Sequence, residues 1–419
     1  MSRIRIGIVG GGAAGMMAAI TAARGGADVT ILEGGERLGK KLLSTGNGKC
    51  NLGNEALSAD AYCGSKREWI AQCLEAFGTE ETKSFFQDIG LVLHANKGYL
   101  YPRAEQASVV LDVLRTEIKI LGIQIISECK VKKIVKKGNG TFLIEDAGRT
   151  LVFDRIILSC GGMAAPRTGS DGSGYDLAKQ FGHTIVPVVP ALVQLKCQEG
   201  FLKEISGVRC DACVSILDHA GKCFTKERGE LQLTDYGISG IPVFQLSRKV
   251  NYLLWEHRKD KNVCIEAEID FLPEYSEIQW ETLKTVRRQL LSVRTVEEYF
   301  SGVLNKKLMN LFCKLAGLKR EERACEVRPE QLDKVFSMCR HFLVHITGSN
   351  PFENAQTSAG GVDTAEVTLH MESRLCGGLY FAGELLDVDG RCGGYNLQWA
   401  WTSGYLAGMY AAGKENSDN

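Results

Sequence analysis

The sequence predicts an α/β protein in which a strand–turn–helix nucleotide-binding frame is interrupted by a β-rich insertion and a small helical segment. Three observations carry the prediction. The β-rich run "RIRIGIV" (3–9) meets a glycine cluster and then an apolar helical run. A second glycine cluster, "CGGYN" (392–396), opens a helix near the other end of the chain. Between about Ala191 and Arg340 the texture changes, first to alternating β-like runs and then to helical ones.

Length and charge set the bounds. A chain of 419 residues exceeds a single compact core and points to two or three domains. Fifty basic residues balance fifty acidic ones, which argues against a broad phosphate-binding surface, so no nucleic-acid partner is expected. No run approaches the roughly 20 apolar residues that span a bilayer, and "MSRIRIGIVGGG" passes directly into a glycine turn without room for a signal peptide. The expectation is a cytoplasmic protein with no membrane partner. Fifteen cysteines in such a chain read as reduced thiols. Cys210 and Cys213 have CxxC spacing, but "RCDACVSI" reads as a strand whose alternate residues face opposite ways. Structural cysteines, and no metal, are expected.

Gly10, Gly12 and Gly15 fit G-x-G-x-x-G between a strand and a helix, the setting that motif requires. Gly10 makes the tight turn, Gly12 lets the backbone at Ala13 and Ala14 approach a pyrophosphate, and Gly15 brings the helix close to the strand. The next strand, "ADVTILE", ends in Glu33, 23 positions after Gly10, where a carboxylate can accept hydrogen bonds from a ribose. This is a dinucleotide site.

After Glu33 comes "GGERLGKKLLSTGNGKCN" rather than the next helix and strand of a nicotinamide domain. The segment Gly39–Asn51 can instead run back across a cofactor, where Lys40 and Lys41 meet phosphate charge or face solvent. Farther on, Gly138-Asn139-Gly140 marks a hairpin in a β-meander that leads "DRIILSCGG" back to the first sheet. Val131 falls where a strand backbone can contact an adenine.

The strand Leu379–Ala382 leads through Gly383-Glu384 to the second glycine cluster. Leu397, Ala400, Trp401, Gly404 and Gly408 then share one helical face, whose small residues permit close packing on the sheet. A helix start presents amides without intrahelical partners and about half a positive charge. Amides near Asn396 and Leu397 are therefore placed to meet the electron-rich edge of a flavin, with Glu384 or Asp389 on its ribityl chain.

With these residues in view, the chain resembles the bacterial FAD flavoprotein family that includes aminoacetone oxidase and a flavin-dependent bile-acid enone reductase. The likeness covers nearly the whole chain. It is carried by "GKKLLSTGNGKCNLGN", "GYLYPRAEQASVVLDVL", "TSAGGVDTAEV" and, most specifically, "FAGELLDVDGRCGGYNLQWAWTSGYLAG". The resemblance implies a Rossmann-like FAD-binding domain of the two-dinucleotide-binding-domain flavoprotein type, formed by residues 1–190 and 346–419. A β-rich substrate domain (191–276) and a mainly helical subdomain (277–345) are then inserted. It also implies cofactor contacts at Ser44, Gly46, Cys50, Asn51, Gly161 and Gly394. "LSCGG" (158–162) departs from the family's usual alanine-threonine before the glycines.

Flavin carries hydride at N5, so no protein nucleophile is required. Tyr99, Tyr101, His94, Arg103 and Tyr236 are candidate acids or orienting groups, with Tyr101, Arg103 and Tyr236 preferred. The favoured expectation is a reductase of conjugated C=C bonds in 3-oxo steroid or bile-acid-like substrates, with NADH or NADPH as electron donor. "GSDGSGY" (169–175) lacks the spacing of a second nicotinamide fingerprint. The alternatives are an oxidase of small amines such as aminoacetone using oxygen, and a non-catalytic flavin-binding or RNA-associated protein. The polar tail "KENSDN" (414–419) is expected to be disordered.

Overall fold

The computed structural model describes residues 3–217, 221–258, 265–289 and 293–413. The polar tail therefore lies outside the described residues. The chain divides into two compact units, 1–190 with 352–419, and 191–351.

The first unit is built on a five-stranded parallel sheet, ordered Leu379–Phe381, Arg155–Leu158, Arg5–Val9, Asp28–Leu32, Gln124–Ile126. Parallel strands are covered on both faces and so read as unbroken apolar runs rather than alternating ones. Ile6, Ile8, Ile31, Ile156 and Ile157 are accordingly fully buried. Pairing of Ile156 with Leu379 brings the late strand onto a sheet begun by residue 5.

The helix Ala13–Arg24 follows the first strand, and the C-terminal helix Tyr395–Ala411 lies directly on it. A Cβ at Gly404 would stand 2.4 Å from the Ala14 carbonyl oxygen, and one at Gly408 the same distance from that of Ala18. Gly404 and Gly408 thus answer to a helix, while the last helix also packs on the sheet strands Arg155–Leu158 and Leu379–Phe381. Two helix backbones this close leave no room for side chains between them. The expected meander is present as Ile134–Lys136, Phe142–Asp146 and Arg149–Phe153, all antiparallel. A small sheet (Gly53–Asn54, Tyr99–Pro102, Leu93–Asn96) completes the unit's strands named below.

The second unit contains a closed barrel of six strands, in the order Leu195–Cys197, Gly237–Gly240, Cys223–Leu233, Arg209–Leu217, Ile265–Asp270, Phe342–Ser349. Closure leaves no strand edge open to stray pairing. Ala212, Val214 and Ile216 alternate into its core, which leaves Cys210 and Cys213 on opposite faces of their strand. The helix Ile241–Glu256 interrupts the β-rich stretch, and its buried Val243, Leu246 and Val250 recur at helical spacing. Trp280, Phe312 and Phe336 of the later helices join the same apolar cluster as the barrel strands. A boundary at 345/346 would cut the strand Phe342–Ser349, which closes the barrel because its alternating Phe342, Val344 and Ile346 face the core.

Candidate functional site

The first unit encloses a cavity of about 380 Å³ whose wall includes the starts of both packed helices. Gly10, at φ +102°, turns the chain off the first strand and donates its N–H to the Leu32 carbonyl at 2.9 Å. Gly12 caps the first helix, and a Cβ there would meet no protein atom within 4 Å. Its backbone is therefore open to whatever fills the cavity. At Gly15 the reverse holds: a Cβ would lie 2.0 Å from the Gly10 carbonyl oxygen, so this glycine closes helix onto strand and is not itself on the wall.

Glu33 ends the second strand with both carboxylate oxygens fixed, Oε2 accepting from Gly11 N–H at 2.8 Å and Oε1 from Gly35 N–H at 2.7 Å. Each oxygen keeps a lone pair for a ligand hydroxyl.

The C-terminal helix begins at Gly394, at φ +91°, with no side-chain cap and no acidic residue in its first turn. Its start is held from several directions. Asn396 accepts from Gly390 N–H and donates to the Gly390 carbonyl, both at 2.8 Å. Asn54 donates to the Gly393 carbonyl at 3.0 Å, and Tyr62 to that of Tyr395 at 2.9 Å. Asn51, with its amide turned to suit its neighbours, donates to the Gly53 carbonyl and accepts from Gly394 N–H. Asn396 and Leu397 then face the cavity. The first helix likewise lacks an acidic first turn. Two uncapped helix starts give this wall a positive potential suited to a diphosphate or an electron-rich ring edge. A dinucleotide cofactor therefore fits the residues present: an open backbone at Gly12, a fixed carboxylate at Glu33, and two amide-rich helix ends.

Of the other residues singled out from sequence, Ala13, Ala14, Lys40, Lys41, Val131, Gly161, Gly383 and Glu384 line the cavity. Val131 does so from the connection between the strands Gln124–Ile126 and Ile134–Lys136, not from a strand. Lys41 Nζ meets Glu384 Oε2 at 2.6 Å, whereas Lys40 reaches toward Gly35 beside Glu33. Ser44, Gly46, Cys50, Asn51, Asp389 and Gly394 lie off the wall. The Ser44 hydroxyl donates to the Lys41 carbonyl, and Gly46 packs against the Asn51 backbone. Cys50 is fully buried, Asp389 sits on a strand paired with Tyr62–Gly64, and Asn51 and Gly394 serve the helix start.

Sequence reasoning missed Arg37, Cys160, Arg167 and Thr357, all on the wall. One signal was visible. The segment "GSDGSGY", unsuited to a second fingerprint, belongs to this same wall through Gly169, Ser170, Asp171 and Ser173.

His94, Tyr99, Tyr101 and Arg103 gather on the small sheet, with His94 directly opposite Tyr101 and their rings 6.2 Å apart. Burial raises the Tyr101 phenol above its ordinary value. Glu105 joins Lys49 Nζ at 2.7 Å and lies 3.7 Å from His94 Nε2. Tyr101 and Arg103 are not on the cavity wall. Tyr236 belongs to the second unit, where its hydroxyl accepts from Asn350 Nδ2 at 3.1 Å.

Thiol chemistry is suppressed at the site. Burial pushes both Cys50 and Cys160 up to about 12, and the Cys160 thiol donates to the Val9 carbonyl. Alkylation at pH 8 followed by peptide mass mapping will label the exposed Cys223 and Cys325 well before either of them. Early labelling of Cys160 would contradict its protonated state.

The HI0933-like protein Rossmann domain matches residues 4–410. A 3-dehydro-bile acid delta(4,6)-reductase of Clostridium scindens is 45% identical over 97% of this chain and 99% of its own length. A ribosomal RNA dihydrouridine synthase of Haemophilus influenzae is 29% identical over 96% and 97% of the two chains. The crystal structure of a 3-ketosteroid delta1-dehydrogenase from Sterolibacterium denitrificans, 12% identical, shares the fold at a TM-score of 0.52, covering 98% and 99%. The strand–Gly–helix cradle, the fixed glutamate and a match across nearly the whole length lead to one conclusion: this chain belongs to the HI0933-like family of FAD-binding Rossmann proteins and is a FAD-dependent oxidoreductase.

Proposed function

We propose that the protein reduces conjugated C=C bonds of 3-oxo steroid or bile-acid-like substrates, with NADH or NADPH as electron donor. One observation carries the reading: 45% identity, over essentially both full lengths, to a reductase named for the delta(4,6) bonds of 3-dehydro-bile acids. When bound, FAD supplies hydride transfer. Gly10, Gly12, Ala13 and Ala14 would hold its pyrophosphate, and Glu33 and Val131 its adenosine end. Gly161, Gly383 and the amides of Asn396 and Leu397 would hold the flavin end.

The remaining requirement is a proton for the substrate's α-carbon, which this chain's own residues would supply. Tyr101 is the group we favour on chemical grounds, a phenol that carries its proton at neutral pH, with the His94 ring 6.2 Å away. Arg103 is an orienting group for the 3-oxo oxygen. The substrate is a small molecule. Among the described residues no helix is long and apolar enough to cross a membrane, in keeping with a cytoplasmic site of action.

Anaerobic titration tests this. NADH or NADPH will bleach the visible flavin bands, and a conjugated 3-oxo steroid will restore them. Bleaching by aminoacetone alone would transfer the protein to the oxidases. A second reading, reduction of uridine in ribosomal RNA, draws on the Haemophilus relative and one from Escherichia coli at 27% identity. Flavin bands restored by ribosomal RNA, and not by steroid, would establish it instead.

A further inference from the structure

Four chain segments meet at one node of the cavity wall. Lys41 Nζ donates to Glu384 Oε2 at 2.6 Å across 343 positions of sequence. The other oxygen, Oε1, accepts from Ser358 N–H at 2.9 Å. Ser358 Oγ in turn accepts from the amides of Met163 and Ala164 at 2.8 and 3.0 Å. Gly162 seals the node, because a Cβ there would lie 2.7 Å from Ser358 Oγ and 2.8 Å from Glu384 Oε1. The Lys41 and Glu384 side chains are only 26% and 19% exposed, so their attraction is screened less than that of a surface pair.

From sequence, Glu384 or Asp389 was expected on the ribityl chain. In the folded protein one Glu384 oxygen holds an ammonium and the other an amide. We propose that Glu384 is a positioning residue that acts on Lys41, and that the pair latches the segment Gly39–Asn51 across the cavity and so retains bound cofactor. The segment is well suited to such a tie. Gly39 N–H is anchored to the Gly11 carbonyl at 3.0 Å and Leu42 is buried, but beyond them Leu43, Ser44, Gly46 and Asn47 are exposed. Removing Lys41 leaves a largely desolvated carboxylate on the cavity wall without its cation. Removing Glu384 frees the ammonium, and the early part of the segment loses this tie to the late half of the unit, while the Asn51–Gly394 bond at its far end remains. Either change acts chiefly on the rate at which cofactor leaves.

The inference rests on FAD as the occupant of this cavity. To test it, the full-length protein is stripped of flavin, and FAD affinity and dissociation rate are measured by fluorescence quenching. The set comprises wild type, Lys41→Met, Lys41→Arg, Glu384→Gln and the double variant K41M/E384Q. Each of Lys41→Met and Glu384→Gln will weaken binding about tenfold, mainly through faster dissociation, while Lys41→Arg stays near wild type and the double variant loses no more than either single one. A ribityl ligand at Glu384 predicts another pattern: Glu384→Gln weak and Lys41→Met unaffected. That pattern overturns the latch. Thermal unfolding of the flavin-free variants accompanies the titrations. If a single variant is also less stable, non-additive losses in the double variant still support the pair and additive losses still refute it. Wild type that binds no FAD would remove the cofactor reading and the latch together, whereas wild-type binding with indifferent variants would remove the latch alone.

Discussion

Gly404→Val will lower the unfolding temperature of the FAD-binding unit by roughly 5–10 °C, the scale set by an overpacking cost of about 1–3 kcal/mol. The cause is local and severe. The first atom of any side chain at this position would sit 2.4 Å from the Ala14 carbonyl oxygen, and a backbone oxygen cannot swing aside as a side chain does. The two helices must separate, and both of their starts on the cavity wall move with them. FAD affinity will therefore fall with stability. Gly408→Val should act in the same sense through Ala18, and the two together will not be additive because they strain one interface.

A contrasting substitution makes this decisive. Gly12→Ala meets no protein atom within 4 Å, so the flavin-free protein should melt as wild type does while FAD binding weakens. Differential scanning fluorimetry with and without FAD separates the two effects. Equal destabilisation by Gly12→Ala and Gly404→Val would show that the helix contact is not what holds the unit.

The second large effect is expected at Glu33. Its carboxylate joins the glycine turn to the segment after the second strand through two backbone amides at 2.8 and 2.7 Å. Glu33→Gln can keep one acceptor, but its NH₂ then faces an N–H donor. Hydrogen bonds to a charged acceptor contribute about 1.5–3 kcal/mol each, and an unpaired donor costs on the same scale. Loss of the charge and of the ribose contact should weaken FAD roughly 30- to 150-fold, which isothermal titration of the flavin-free protein will read directly. Near-wild-type affinity in Glu33→Gln would mean that the adenosine ribose lies elsewhere.

These two sites differ in how far they could be read before folding. The cradle at Gly10, Gly12, Gly15 and Glu33 was legible because each part follows from local rules. A positive φ at Gly10, the open approach at Gly12 and a carboxylate at the next strand's end depend on residues within about two dozen positions. The glycines at 404 and 408 were legible as a contact face, but their partner was not. Helical periodicity says which side of a helix is covered and nothing about what covers it. The loop after Glu33 shows the same division. Its glycines and lysines announced a segment over the cofactor, yet Ser44, Gly46, Cys50 and Asn51 serve the segment's own packing and the start of the last helix.

By itself, then, the sequence determined that this is a dinucleotide-binding α/β protein with an amide-rich helix near its end. Those features reside in short-range spacing, backbone dihedrals and helix polarity. Only the tertiary structure decided that Glu384 holds Lys41, that Asn54 holds Gly393, and that the last helix lies on the first. Where the chain brings together residues hundreds of positions apart, the partner is chosen by the order of strands in the sheet, and no local period records that choice.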